Sequence, residues 1–137
     1  MKMKESLAAT GDRLARTLCA SAAPQIEHVP NKHVDGQMDQ VETRRCEAGT
    51  STIYRGATTS DPNGLPIFVQ VNVQGAGLPP YLEIGQPVER VTQFLGKPQE
   101  TGPGTITYGL SMEGIDTATI LHAGGQVTSV RWEWVVD

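Results

Sequence analysis

Residues 66–74 alternate without interruption, and this pattern constrains the fold more than any other stretch of the chain. Ile67, Val69, Val71 and Val73 fall on one side of an extended backbone. Phe68, Gln70, Asn72 and Gln74 fall on the other. Such a strand needs one face buried and leaves one face wet, as in an antiparallel sheet covered on a single side. A second strand of this kind lies near the C-terminus. There Val130, Trp132, Trp134 and Val136 share one side, and Ser129, Arg131 and Glu133 the other.

The remaining elements supply more strands and a cover. Residues 37–47 and 50–58 read as a hairpin turning at Glu47-Ala48-Gly49-Thr50, with Val41, Thr43, Ile53 and Tyr54 favouring strands. Asp61-Pro62-Asn63-Gly64 reads as a turn, because proline pre-sets φ and Asn-Gly tolerates positive φ. Residues 105–110 read as a short strand. Residues 115–123 and 126–136 read as a hairpin around Gly124-Gly125, a pair suited to a type I′ turn. Two helices complete the reading. In residues 4–20, Leu7, Leu14 and Leu18 lie close to one stripe, although Gly11 weakens that helix by up to ~1 kcal/mol. In residues 86–95, Val88, Val91 and Leu95 repeat at helical spacing between Pro87 and the stop at Gly96 and Pro98. Residues 21–36, with Pro24, Pro30, Asn31 and Gly36, read as an irregular connection, and residues 75–80 as a linker. The expected fold is α+β, with one antiparallel β-sheet or two smaller ones and short helices packed on one face. Each half is expected to carry three strands. The chain is expected to be a single domain, 1–137, with halves at 1–78 and 79–137.

Composition removes several functions. The 137 residues carry a net charge of −4 and no dense lysine or arginine cluster, so phosphate neutralisation has no footprint and no nucleic-acid partner is expected. No run approaches the ~18 apolar residues of a spanning helix, so no membrane span is expected. The stretch after the basic Met1–Lys4 is interrupted by Gly11, Asp12, Arg13 and Arg16. It is expected to be a helix and not the apolar core of a signal peptide, despite the small residues Ala20-Ser21-Ala22. Any export signal is expected to be absent or already removed. Cys19 and Cys46 form no CxxC pair. They fit one disulfide across 27 residues, which chain entropy values at about 3 kcal/mol in an oxidising compartment. The alternative is two buried thiols.

Reactive constellations are thin. His28, His33, Asp35 and Asp39 are the best metal-like set, since imidazole and carboxylate suit zinc or manganese. Their spacing matches no established template, and their prolines and glycine are those of a solvent loop, so no metal or cofactor is expected. A Cys19 or Cys46 nucleophile with His28, His33 or His122 would need an adjacency that sequence does not display. Glu113 and Asp116 read as solvating turn residues. Gly75-Ala76-Gly77 and Gly102-Pro103-Gly104 lack the Lys-Ser/Thr of a phosphate loop. The chain is expected not to be an enzyme. Its few aromatics offer an alternative role, because tyrosine and tryptophan dominate binding hot spots. Phe68 lies on the polar side of its strand. Tyr54, Tyr108, Trp132, Trp134 and Arg131 are further candidates for a partner-binding face, with a covered core as the competing role for the two tryptophans.

The second half carries a family likeness. Leu82-Glu83-Ile84-Gly85-Gln86-Pro87, Val91, Leu95-Gly96-Lys97-Pro98, Thr107-Tyr108, Gly124-Gly125-Gln126-Val127 and Val130 together resemble the small outer-membrane-assembly lipoproteins. They also resemble the related modules of β-lactamase inhibitory protein. The resemblance spans residues 82–134. It departs from the lipoproteins in lacking a lipobox before Cys19 and in showing one helix where they carry two. It implies helices on one face of an antiparallel sheet, in a periplasmic or envelope protein that scaffolds or inhibits another protein and catalyses nothing.

Overall fold

The structure, a computed structural model, describes residues 6–56, 63–111 and 115–135. The chain runs α1 (Leu7–Thr17), β1 (Gln25–Pro30), β2 (Met38–Cys46), β3 (Gly49–Arg55) and β4 (Leu65–Val71). A 3-10 turn at Pro80–Leu82 leads to α2 (Glu89–Leu95), β5 (Glu100–Gly102), β6 (Thr105–Gly109), β7 (Thr117–Ala123) and β8 (Gln126–Glu133). Met1–Lys4, Glu113, part of the Asp61–Gly64 turn and the expected strand ends near residues 58 and 136 lie outside the described residues. No described helix is long and apolar enough to cross a membrane.

The eight strands form one antiparallel sheet in the order β1-β2-β3-β4-β8-β7-β6-β5. The two halves therefore meet at β4 and β8, where Val69 is the partner of Trp132 and Val71 the partner of Val130. The fold is α+β with an antiparallel sheet, but the sheet is larger than three strands per half. The expected irregular segment 21–36 contains β1, which pairs with β2 from Gln25↔Thr43 to Pro30↔Met38. At the opposite edge β5 pairs with β6. Both are edge strands exposed over most of their length, so neither carries the periodic burial that marks a strand in sequence. Helix α2 starts at Glu89 and not at residue 86. Residues 85–88 instead bond to the start of β8, through Gly85 N to Val127 O at 2.8 Å and Val127 N to Gln86 O at 2.9 Å. They take the place beside β8 that β4 vacates after Val71.

One side of the sheet carries the core. Val69, Val71, Ile106, Tyr108, Ala118, Ile120, Val130 and Trp132 are buried there with Leu14 and Ala15 of α1 and with Leu82 and Val91. Each large apolar chain fully buried stabilises by roughly 1.5–3 kcal/mol. Trp132 sits beneath α1, donating Nε1–H to the carbonyl of Leu7 at 2.9 Å. A Cβ on Gly11 would lie 2.4 Å from the indole Cδ1, so the glycine that weakens the helix is also what lets it approach the sheet. Ser6 caps the helix by accepting from Ala9 N at 3.1 Å. Gly124 and Gly125 both have positive φ, as a type I′ turn requires. A Cys19–Cys46 disulfide, with a Cα separation of 5.6 Å, ties the end of α1 to the end of β2.

Candidate functional site

Strand alternation and cross-strand register decide what the other side of the sheet presents. One row runs Thr43, Thr52, Phe68, Glu133, Thr117 across β2, β3, β4, β8 and β7. The next runs Arg45, Thr50, Gln70, Arg131, Thr119, Thr107 out to β6. A third joins Val41, Tyr54 and Leu65. None of these residues belongs to the core on the helix side. Small polar side chains lace the rows, with Thr43 Oγ1 3.2 Å from Thr52 Oγ1 and Arg131 Nε 2.9 Å from Glu133 Oε1. One end of this side is apolar. Phe68 is half-buried and Leu65 is 50% exposed. Ile115 and Val135 stand by the neighbouring strand ends, where Val135 N donates to Asp116 Oδ1. The surface can therefore offer an aromatic anchor at one end and hydrogen-bonding groups along the rest.

The six candidate binding residues divide between the two sides. Phe68, Tyr54 and Arg131 lie on the uncovered side. Trp132 and Tyr108 lie in the core at 0% and 7% exposure, and Tyr108 donates its hydroxyl to Gly96 O at 2.8 Å. Trp134 follows β8, is half-buried against the core, and donates its backbone N–H to Ile67 O. Burial raises the Tyr108 phenol above its ordinary pKa.

The histidine-bearing segment does not converge. His28 is the strand partner of Gln40, which turns its side chain to the face opposite that of Asp39. His33 and Asp35 are exposed. Asp39 is fully buried and accepts from Asn31 Nδ2 at 2.8 Å, from Gln37 Nε2 at 2.9 Å and from the Tyr54 hydroxyl. The hydrogen bond to this carboxylate, followed by burial and by its charge, raises the Tyr54 phenol above its ordinary pKa. Among the described residues no three His, Cys, Asp or Glu side chains gather as a metal site. Both cysteines are bonded to each other, so the thiol nucleophile weighed from sequence is not present in this structure.

Sequence reasoning missed two arrangements. One is the Asp39–Tyr54 pair with its Asn31 and Gln37 clamp, which depends on register between strands. The other is a set of arginines, Arg16, Arg44 and Arg55, that α1 and the β2–β3 hairpin bring around one cavity. Their spacing in the chain carries no signal of that meeting. Compared with known proteins, the chain matches no family model, no curated protein and no solved structure.

Proposed function

We propose that this protein is a non-enzymatic binding module that holds another folded protein against the uncovered side of its sheet. The observation that carries this reading is the asymmetry of the sheet. The core gathers on the helix side, while the other side presents Phe68, Gln70, Arg131 and the part-exposed Thr43, Thr50, Thr107 and Thr117 with no described helix over it. A partner suited to it would place an apolar projection against the end formed by Val41, Tyr54, Leu65 and Phe68. It would meet the threonine and arginine rows with polar groups. The disulfide supports an oxidising, extracytoplasmic setting such as the periplasm or cell envelope.

The test is capture from envelope extracts with the oxidised protein, its Phe68→Asp variant and a Glu89→Gln control on α2, on the helix side. Partners bound by the wild type and the control but lost with Phe68→Asp support the reading. Outer-membrane proteins in that set would indicate a scaffold, and a single hydrolase an inhibitor. Equal capture by all three forms would refute the sheet side as the binding surface.

A further inference from the structure

The sheet ends in two free edges, and only one of them is blunted. Strand β5 is three residues long and lies between Pro98 and Pro103, so it offers little template for another strand. Strand β1 is six residues long, carries no lysine, and is exposed at every position but Val29. The phase of its pairing shows which backbone groups are free. Asn31 N donates to Gln37 O at 2.9 Å, one step beyond the Pro30↔Met38 pair. Antiparallel partners exchange both hydrogen bonds at every second residue, so Val29, Glu27 and Gln25 bond to β2. Ile26 and His28 therefore turn their N–H and C=O groups away from the sheet, and Pro30 its C=O. Among the described residues nothing bonds to these groups. Proline is tolerated there because the N–H it lacks would have pointed outward.

Side chains at this edge are short of cover too. Ile26, His28 and Pro30 lie on the helix side, opposite Glu42, Gln40 and Met38 of β2. Helix α1 packs chiefly on β3, β4 and β7, further into the sheet. Ile26 and Met38 are accordingly 48% and 49% exposed.

The edge is complementary to itself. A two-fold axis perpendicular to the sheet sets β1 antiparallel to its own copy and keeps helix side with helix side. An axis along the strands would set His28 level with its copy in a parallel pair, whose slanted bonds need an offset. Outward-facing residues must meet one another, which leaves two long registers. One pairs Gln25–Val29 with its copy and sets Glu27 opposite Glu27 of the second copy. The other pairs Ile26–Pro30 with its copy, sets His28 opposite itself, and brings Ile26 against Pro30 of the second copy with Met38 beside it. Both offer the same number of main-chain hydrogen bonds. Like charges directly opposed across strands are destabilising, so side chains select the second register, which also covers the exposed Ile26 and Met38. We propose that β1 pairs with β1 of a second copy of this chain, with His28 on the two-fold axis. The sheet then runs on through the junction, and the uncovered sides of both copies face the same way. The interface is small, so the dimer exchanges with monomer as concentration falls.

Sedimentation of the full oxidised chain across a concentration series tests this. The wild type should pass from monomer to dimer, and exchange of the Ile26 and His28 amides should slow in the dimer. His28→Pro removes an N–H that β2 does not use, so the chain should stay folded while its dimer weakens about tenfold or more. His28→Lys and His28→Glu should each weaken the dimer by setting like charges on the axis, and the two chains mixed should pair at least as tightly as the wild type. Melting curves report whether each variant is folded. If His28→Pro is not, the mixed pair decides. A wild type that stays monomeric, a dimer untouched by a folded His28→Pro, or a mixture no tighter than its separate components would overturn the proposal. A monomeric chain whose Ile26 and His28 amides are instead protected by the synthetic peptide Val-Thr-Val-Thr-Val would assign the edge to a foreign strand and overturn it as well.

Discussion

The two halves of the molecule share an element order, a helix followed by four strands, and meet symmetrically at β4 and β8. They are held together by different physics. The second half contributes Leu82, Val91, Ile106, Tyr108, Ala118, Ile120, Val127, Val130 and Trp132 to the core. The first contributes Leu14, Ala15, Ile53, Val69, Val71 and Leu78, and its outer strands turn mostly to water. What it lacks in apolar burial it makes up with a disulfide, the buried Asp39 with its donors Asn31, Gln37 and Tyr54, and the Glu42–Arg55 ion pair. A repeated topology thus does not require a repeated source of stability. The polar half is the one whose stability depends on oxidation state.

Trp132→Ala should have the largest effect, because it empties the space under α1 where the halves join. A loss of about 4 kcal/mol is expected from denaturant unfolding. It should strike both halves, and loss confined to one would break the idea of a shared seam. Reducing the Cys19–Cys46 bond should cost about 3 kcal/mol. Hydrogen exchange should show that loss in α1 and β2 before β7 and β8, and uniform loss would contradict the contrast between the halves. Gly11→Ala should destabilise by about 2 kcal/mol through overpacking on the indole, although alanine is the better helix former. A gain in melting temperature would mean that α1 does not press on Trp132.

Tyr54→Phe should cost about 1 kcal/mol by removing one donor to the buried Asp39 carboxylate. The phenol pKa is raised in the fold. Its contribution is therefore complete below the unfolded value near 10 and declines as pH rises beyond it. Alkaline unfolding should begin at higher pH in Tyr54→Phe than in the wild type. Identical profiles would remove Tyr54 from the first half's polar support.

Much of the central sheet was legible in the sequence. The alternation of residues 66–74 assigned Val69 and Val71 to the core and Phe68 and Gln70 to the opposite side, and Gly124-Gly125 marked its turn. The Cys19–Cys46 pair was one of two readings. The edge strands were not legible. Gln25–Pro30 has little to bury on either side, and Glu100–Gly102 is too short to show a period. The candidate site was legible only in part. Phe68 and Arg131 were placed by strand period, whereas the side of Tyr54 depended on register. Trp132 and Tyr108 needed knowledge of which side the helices take, and the Asp39 clamp and the arginine cavity arise from register and from helix placement.

Two adjacent substitutions test the two-sided sheet most directly. Phe68→Lys and Val69→Lys place the same charge one residue apart on β4, on opposite sides. Denaturant unfolding of both should show a loss below about 1 kcal/mol for Phe68→Lys, whose charge reaches water. For Val69→Lys, fully buried, the loss should be about 4 kcal/mol or more. Losses of equal size would mean that both sides of the sheet are buried, and would contradict the account.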